Sequence, residues 1–255
     1  MSVTVIEALQ RLYDAIARRN DDLAYLNFGF SAGVQPATEV DVAELEALGR
    51  RLYEVALTPF PTAERVLEIG CGRGGGAAFL LEGRPHLSYL GLDLSREHVR
   101  LCRRRFGSQA RAQFAVADAV RLPVRDAGFD AAFSVEACHH FEDLEALYAE
   151  VARALRPGGW FLLAGLWRSG HDSSEAIEAG GFRVVERSDI SANVTASLTR
   201  SSALRQRLVE SLDLPERFRP FLMSWAGVRG SGSYQELASG ERVYLCYRLQ
   251  RTESR

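Results

Sequence analysis

The segment from Arg65 to Gly74 constrains the fold of this 255-residue chain more than any other ten residues. It begins with an apolar run that carries one acid, Glu68, and it enters a loop with glycine at positions 70, 72 and 74. Glycine lets a backbone turn with positive φ and approach a ligand with no Cβ atom in the way. A segment rich in small residues and typical of a helix follows at residue 75. A strand, a glycine loop and a helix N-terminus together predict a nucleotide-type cofactor site.

Short apolar segments alternate with helical segments from residue 64 onward. Helices are expected at about 75–82, 95–106 and 143–155. Short apolar strands separated by helices indicate a parallel sheet that is covered on both faces. We therefore predict an α/β, Rossmann-like fold with a mostly parallel seven-stranded sheet. Its strands are expected at Val66–Ile69, Tyr89–Leu92, Arg111–Val116, Phe129–Ser134, Trp160–Leu166, Phe182–Glu186 and Val243–Leu249.

The flanks of this pattern have helical periodicity. Apolar residues recur at helical spacing over 5–18, and a second helix is expected over about 39–57, ending before Pro59. Residues 168–181 are polar and rich in glycine, and residues 190–226 are mostly helical and amphipathic. We expect helical caps before and after the α/β core.

Composition excludes several classes of protein. A formal net charge of −2 leaves no electrostatic footprint for nucleic acid. The four cysteines are widely spaced and show no metal-ligand pattern, so no metal is expected. The N-terminus lacks the pattern of a signal peptide, and no run approaches the length of a membrane span. We expect a cytoplasmic protein, either a monomer or a homodimer.

Three acids indicate which cofactor the glycine loop holds. Dinucleotide folds usually show the spacing G-x-G-x-x-G, whereas this loop has G-x-G-x-G with Glu68 two residues before it. Asp93 ends the second expected strand, where a carboxylate can accept both ribose hydroxyls. Asp118 follows the third, and it can accept a hydrogen bond from an exocyclic amine such as that of adenine. A ligand with an ammonium group, a diol and an amino-purine but no phosphate fits this set, and S-adenosylmethionine is such a ligand.

Five motifs in order resemble those of class I S-adenosylmethionine-dependent methyltransferases. They are Glu68–Gly74, Gly91–Ser95, Val116–Pro123, Phe129–His140 and Leu155–Leu163. The flanking segments Tyr25–Phe30, Asp189–Val194 and Ala226–Ser231 resemble those of small-molecule O-methyltransferases, in particular the phthiotriol-type and polyketide-tailoring group.

The resemblance implies one methyltransferase domain over 1–255. Its parts would be a helical N-terminal cap (1–60), a cofactor-binding core (61–167), a lid and acceptor-binding segment (168–228) and C-terminal strands (229–255). The cofactor would be S-adenosylmethionine, and the acceptor an apolar small molecule of the polyketide type. The residues expected to bind the cofactor are Tyr25, Glu68, Gly70, Cys71, Gly72, Gly74, Asp93, Leu94, Asp118, Ala119 and Glu136.

The resemblance also implies a catalytic base. His140 aligns with the histidine that serves as base in related O-methyltransferases, and neighbouring residues on a helical turn point about 100° apart, so His139 and His140 cannot both face one pocket. Many relatives place an aspartate after the fifth strand, where it can pair with this histidine, but this chain has Gly165 there. Either His140 works without an orienting carboxylate, or another group such as His171 or Asp172 replaces it.

Three other functions fit the same sequence. C-methylation and a cofactor-dependent cyclisation can both use this scaffold. A cofactor-binding accessory protein without transfer activity is the third, because the acid after the fifth strand is missing. The intact glycines and acids argue against the loss of activity, and transfer to a hydroxyl or enol oxygen is the preferred prediction.

Overall fold

A seven-stranded sheet forms the centre of the protein. The computed structural model describes residues 23–33, 40–137, 143–170, 173–212 and 215–252, so the helix predicted over 5–18 lies outside the described residues. The strands are β1 (Arg65–Ile69), β2 (Ser88–Asp93), β3 (Ala112–Val116), β4 (Phe129–Val135), β5 (Leu155–Arg168), β6 (Phe182–Asp189) and β7 (Arg242–Arg251).

The sheet order is β3-β2-β1-β4-β5-β7-β6. Strands β1 to β5 are parallel to one another, whereas β7 is antiparallel to both β5 and β6. The carboxyl ends of β1 to β4 therefore lie at one edge of the sheet. The chain order runs outward from β1 to β3 on one side and continues from β4 on the other side, so the topological switch point lies between β1 and β4. Open α/β sheets bind ligands at this kind of edge. The predicted fold class and the seven strands are confirmed.

Eight α-helices lie in the described part of the chain. Asp41 caps α1 by accepting the Glu44 amide at 2.8 Å, and Thr58 ends this helix one residue before Pro59. Ser95 caps α3 in the same way. No described helix is long and apolar enough to cross a membrane. The helices are α1 (Val42–Leu57), α2 (Gly75–Leu81), α3 (Arg96–Phe106), α4 (Leu144–Ala154), α5 (Ser174–Ala179), α6 (Ser191–Glu210), α7 (Arg219–Trp225) and α8 (Gly232–Ala238).

Each face of the sheet has its own apolar core. Helices α1 to α3 contribute residues such as Leu52, Leu80 and Val99 to the core on one face. Helices α4 and α5 cover the other face with residues such as Val151 and Ile177. Both faces of β1 and β4 are covered, which explains why these strands are almost continuously apolar.

Two segments differ from the prediction. Residues 168–181 contain the short helix α5, because Ile177 supplies a buried contact inside an otherwise polar sequence. The expected strands over 229–255 are wrong in part: α8 precedes a single strand, β7. Leu237 of α8 is buried against the core, and this packing selects a helix in a segment with few apolar residues.

Candidate active site

The glycine loop is held against the end of β2. The amides of Gly70 and Cys71 both donate to the Leu92 carbonyl, at 2.8 and 2.9 Å. Gly70, Gly72 and Gly74 all have positive φ, as the sequence predicts. At Gly70 a Cβ would lie 2.3 Å from the Ala137 Cβ, so the loop needs glycine for space as well as for its backbone conformation.

Asp93 connects the loop to the end of β2. Its Oδ2 accepts the Gly72 amide at 2.7 Å, and its Oδ1 accepts the Ser95 amide at 2.8 Å. The side chain of Asp93 remains 13% exposed. A carboxylate has about four acceptor positions, so two backbone bonds leave capacity for a ligand.

The predicted residues after β3 lie beside Asp93. The Ala117 amide donates to the Asp93 carbonyl at 3.1 Å, which places Asp118 at the same edge of the sheet. Asp118 is exposed, and its Oδ1 accepts the Val120 amide at 3.1 Å. Leu94 is exposed, whereas Ala119 is buried beneath this surface. Asp93, Leu94 and Asp118 therefore lie at the edge beside the glycine loop. A Cβ built at Gly72 would meet no atom within 4 Å, and this open surface of the loop is here called the groove.

Glu68 occupies a different place from the predicted one. Its side chain is fully buried, and its carboxylate accepts hydrogen bonds from the hydroxyls of Tyr53 and Tyr89. A Cβ at Gly76 would lie 2.3 Å from Glu68 Oε2, so the acid sits under the start of α2. Burial raises the pKa of Glu68 to about 8. The sequence predicts that Glu68 binds the cofactor; in this structure its carboxylate lies beneath the glycine loop and supports the start of α2.

Cys71 also points away from the groove. Its side chain is buried, and a Cβ at Gly91 would lie 3.0 Å from both its Cβ and its Sγ. Among the atoms of Cys71, only the backbone can line the groove. The contact with the cofactor that the sequence predicts for Cys71 is therefore open to its backbone but not to its buried side chain.

Residues 23–31, here called the strap, cross the same edge of the sheet. Tyr25 is buried, and a Cβ at Gly75 would lie 2.7 Å from its ring, so it packs on the first residue of α2. The Tyr25 amide donates to Glu46 of α1 at 3.1 Å. Burial raises the pKa of the Tyr25 hydroxyl. Tyr25 thus covers the end of the glycine loop, where the sequence predicts a residue near the cofactor.

Glu136 joins the strap to the end of β4. Its Oε1 accepts the Phe28 amide at 2.8 Å and the hydroxyl of Tyr244, in β7, at 3.1 Å. Burial raises the pKa of Glu136 to about 7. Glu136 therefore lies at the same edge of the sheet as Asp93 and Asp118. Those two acids follow β2 and β3 on one side of β1, whereas Glu136 follows β4 on the other side.

The predicted catalytic histidine cannot be placed. His140 and its neighbour His139 lie outside the described residues, as do His171 and Asp172. Described residues on both sides of His140, Ala137 and Asp143, connect the end of β4 to the start of α4.

Arg205 is a residue that sequence reasoning did not find. It is buried on α6 and donates to the carbonyls of Asn27 and Ala226 and to the Ser201 hydroxyl, at 2.9, 3.1 and 2.7 Å. Burial lowers its pKa to about 10. Two of these acceptors lie 178 and 21 positions away in sequence, so no local pattern could have indicated the contact. Arg205 fastens α6 and the end of α7 to the strap.

The edge of the sheet thus combines the glycine loop, the acids Asp93 and Asp118, and the strap, which Arg205 joins to α6 and to the end of α7. These are the parts of an enzyme that uses a nucleoside cofactor on a doubly wound sheet. A methyltransferase-domain family model matches residues 67–163, which include the loop, Asp93, Asp118 and Glu136.

Curated relatives match nearly the whole chain. The chain is 30% identical to the fatty-acid O-methyltransferase of Mycolicibacterium smegmatis, with 97% of this chain and 91% of the relative covered. It is also 30% identical to a phthiotriol/phenolphthiotriol dimycocerosates methyltransferase of Mycobacterium tuberculosis, with 89% and 85% covered.

A solved structure shares the fold. It is an O-methyltransferase from a trans-AT PKS multienzyme of Brevibacillus brevis in complex with S-adenosyl-L-homocysteine. Its TM-score is 0.72 at 16% identity, with 89% of this chain and 84% of the other covered. The chain belongs to the methyltransferase family of its curated relatives, and the predicted class I resemblance is confirmed.

Proposed function

We propose that this protein transfers a methyl group from S-adenosylmethionine to a hydroxyl or enol oxygen of an apolar, polyketide-type small molecule. The observation that carries the proposal is the bond from the Gly72 amide to Asp93 Oδ2 at 2.7 Å. This bond holds the glycine loop beside Asp93, the acid that we propose binds the ribose diol, in a chain that belongs to a family of methyltransferases.

The residues at this edge fit the cofactor. No atom outside its immediate neighbours lies within 4 Å of a Cβ built at Gly72, so the loop faces open space there. Asp93 would accept the ribose hydroxyls, and Asp118 would accept the adenine amino group. Gly70, Gly72 and Gly74 would let the methionine portion approach the backbone. When bound, S-adenosylmethionine supplies a methyl group activated by a sulfonium.

The rest of the site would bind and orient the acceptor. In-line displacement needs the acceptor oxygen about 3 Å from the methyl carbon, and such positioning supplies several kcal/mol of the barrier. His140 would remove the hydroxyl proton, a contribution of about 10²- to 10⁴-fold. The strap and α6, joined by Arg205, would exclude water above the groove.

Transfer to oxygen is favoured because one curated relative is named a fatty-acid O-methyltransferase. The names of both relatives refer to lipids, which supports an apolar acceptor.

Two measurements test the proposal. Calorimetry should show binding of S-adenosylmethionine, and mass spectrometry with a labelled methyl group should find label in products of hydroxylated polyketides or long-chain alcohols. NMR of the product distinguishes an O-methyl group from a C-methyl group. Binding without label in any product would support the accessory-protein alternative and contradict the proposal.

A further inference from the structure

A cavity of about 60 Å³ lies between the strap and the helices α6 and α7. One water molecule needs about 10–15 Å³ of such space, so the cavity has room for about four non-hydrogen atoms. It is large enough for a small group but not for a whole acceptor molecule. Most of its wall is apolar and includes Leu26, Leu45, Leu208, Val209, Trp225 and Ala226.

The cavity separates two apolar clusters that are distinct from the cores on the sheet. Leu45 and Leu208 belong to one cluster, and Val209 and Ala226 belong to the other. Protein interiors are usually close-packed, and an unfilled apolar space removes packing contacts from the side chains around it. An apolar space also holds water poorly, so a gap of this kind favours an apolar ligand.

The polar residues of the wall leave little polar surface for a ligand. They are Tyr25, Arg73 and Arg205, and the two arginines are only 2% and 7% exposed. Arg205 donates from Nε and from both terminal nitrogens to acceptors within the protein. The ring of Tyr25 packs on Gly75. The wall therefore offers mainly packing contacts, and the ligand chemistry that fits it is an alkyl group.

The cavity borders the glycine loop on one side. Arg73, which lies between Gly72 and Gly74, forms part of its wall. Arg205 borders it on another side. Burial lowers the pKa of Arg205 to about 10, and the nearby charge of Glu136 opposes this shift. Because Glu136 follows β4, the cavity lies near both the loop and the end of β4, at the ligand-binding edge of the sheet.

We propose that this cavity is an alkyl-binding site that holds the apolar end of the acceptor's chain during methyl transfer. This inference rests on the proposed function. The cavity contacts only carbon atoms of the acceptor, so the acceptor's hydroxyl proton stays available to the base. Because the cavity has room for about four carbon atoms, its wall sets the length of chain that the enzyme accepts.

A series of primary alcohols from octanol to tetradecanol tests the cavity through its volume. In the wild type, kcat/KM should rise roughly threefold to fourfold for each methylene that enters the cavity, and then level off. Val209→Phe fills most of the cavity with its own ring. We expect kcat/KM for the longest alcohols to fall roughly tenfold or more, while the value for the shortest stays within about twofold.

A phenylalanine elsewhere on α6 provides the matched control. Ala203 is exposed and does not line the cavity, so Ala203→Phe should keep the wild-type dependence on chain length. The Kd for S-adenosylmethionine should stay within about twofold of the wild-type value in both variants, since neither position belongs to the glycine loop.

Trp225 allows a second measurement that does not depend on turnover. The alcohol 11-bromoundecan-1-ol carries a bromine at the end of its chain, and bromine quenches tryptophan fluorescence at close range. We expect saturable quenching with this alcohol but not with undecan-1-ol. Trp225→Phe should remove the quenching, because Trp160 and Trp167 lie on β5 and do not line the cavity.

The two measurements separate the inference from the proposed function. The same chain-length dependence in the wild type and Val209→Phe, or quenching that persists in Trp225→Phe, would overturn the inference and leave the proposed function standing. If Val209→Phe does not fold, the quenching measurement decides. Quenching that depends on Trp225, without methylation of any alcohol or hydroxylated polyketide, would overturn the proposed function while the cavity remained an alkyl-binding site.

Discussion

The Gly72 amide donates a hydrogen bond to Asp93 Oδ2 across 2.7 Å and so joins the glycine loop to the tip of the neighbouring strand. The two residues are 21 positions apart in sequence. Because β1 and β2 are parallel and adjacent, their carboxyl ends meet and this contact can form. Asp93 consequently both orients the loop and faces the proposed ribose site.

Replacing Asp93 should weaken cofactor binding. Asp93→Asn leaves one oxygen for two backbone donors and the ribose diol, so we expect the Kd for S-adenosylmethionine to rise roughly tenfold or more. Calorimetry measures the change directly. Asp126→Asn is a suitable control, because Asp126 is highly exposed and forms an ion pair with Arg153 rather than a contact with the glycine loop. Equal affinity in the Asp93 variant and the wild type would refute the site assignment.

His140 and its neighbour make a matched pair for the catalytic base. His140→Ala should lower turnover by roughly tenfold or more without weakening cofactor binding, since a general base acts on the acceptor proton. His139→Ala should have a much smaller effect, because adjacent residues on a helical turn point in different directions. Steady-state kinetics and calorimetry on both variants separate the roles. If His140→Ala retained full activity, His140 would not be the base.

The buried acid Glu68 should make the free energy of unfolding depend on pH. Burial raises its pKa from 4.5 to about 8, so the folded protein keeps a proton that the unfolded chain releases. This proton's contribution to the free energy of unfolding is complete below about pH 4.5 and is lost as the pH rises toward about 8.

Glu68→Gln should remove most of that slope, because a neutral amide of the same shape has no proton to lose. Urea unfolding at several pH values measures the effect. The exposed acid Glu64 provides the control, and Glu64→Gln should keep the wild-type slope. A slope that persisted unchanged in Glu68→Gln would show that other groups cause it.

Alanine substitutions at Gly70 and Gly83 would separate the effect of backbone strain from the effect of steric crowding. Both have positive φ, but a Cβ at Gly70 would lie 2.3 Å from Ala137, whereas nothing lies within 4 Å of a Cβ at Gly83. Gly83→Ala should cost about 1–2 kcal/mol of unfolding free energy, the price of a left-handed alanine. Gly70→Ala should cost more and also weaken cofactor binding, as measured by thermal unfolding and calorimetry. Equal losses in the two variants would contradict the crowding at Gly70.

The local sequence was sufficient for much of the fold. Hydrophobic periodicity predicts all seven strands, because apolar runs such as Val66–Ile69 must be buried on both faces of a parallel sheet. The glycine spacing at 70–74 predicts the loop, because glycine is the residue that readily adopts the positive φ found at all three positions. The helix α5 and the helix before β7 were missed because distant contacts, through Ile177 and Leu237, stabilise them.

What the sequence by itself determined is the set of groups at the carboxyl edge of the sheet, because parallel strands bring the residues that follow them to one side. Only the tertiary structure decided which of those acids face the groove. Glu68 is turned into the core by Tyr53 and Tyr89, while Glu136 is turned to the edge by Phe28 and Tyr244. The physical reason is that the environment of a carboxylate depends on hydrogen-bond donors from segments distant in sequence, and a local sequence pattern contains no information about them.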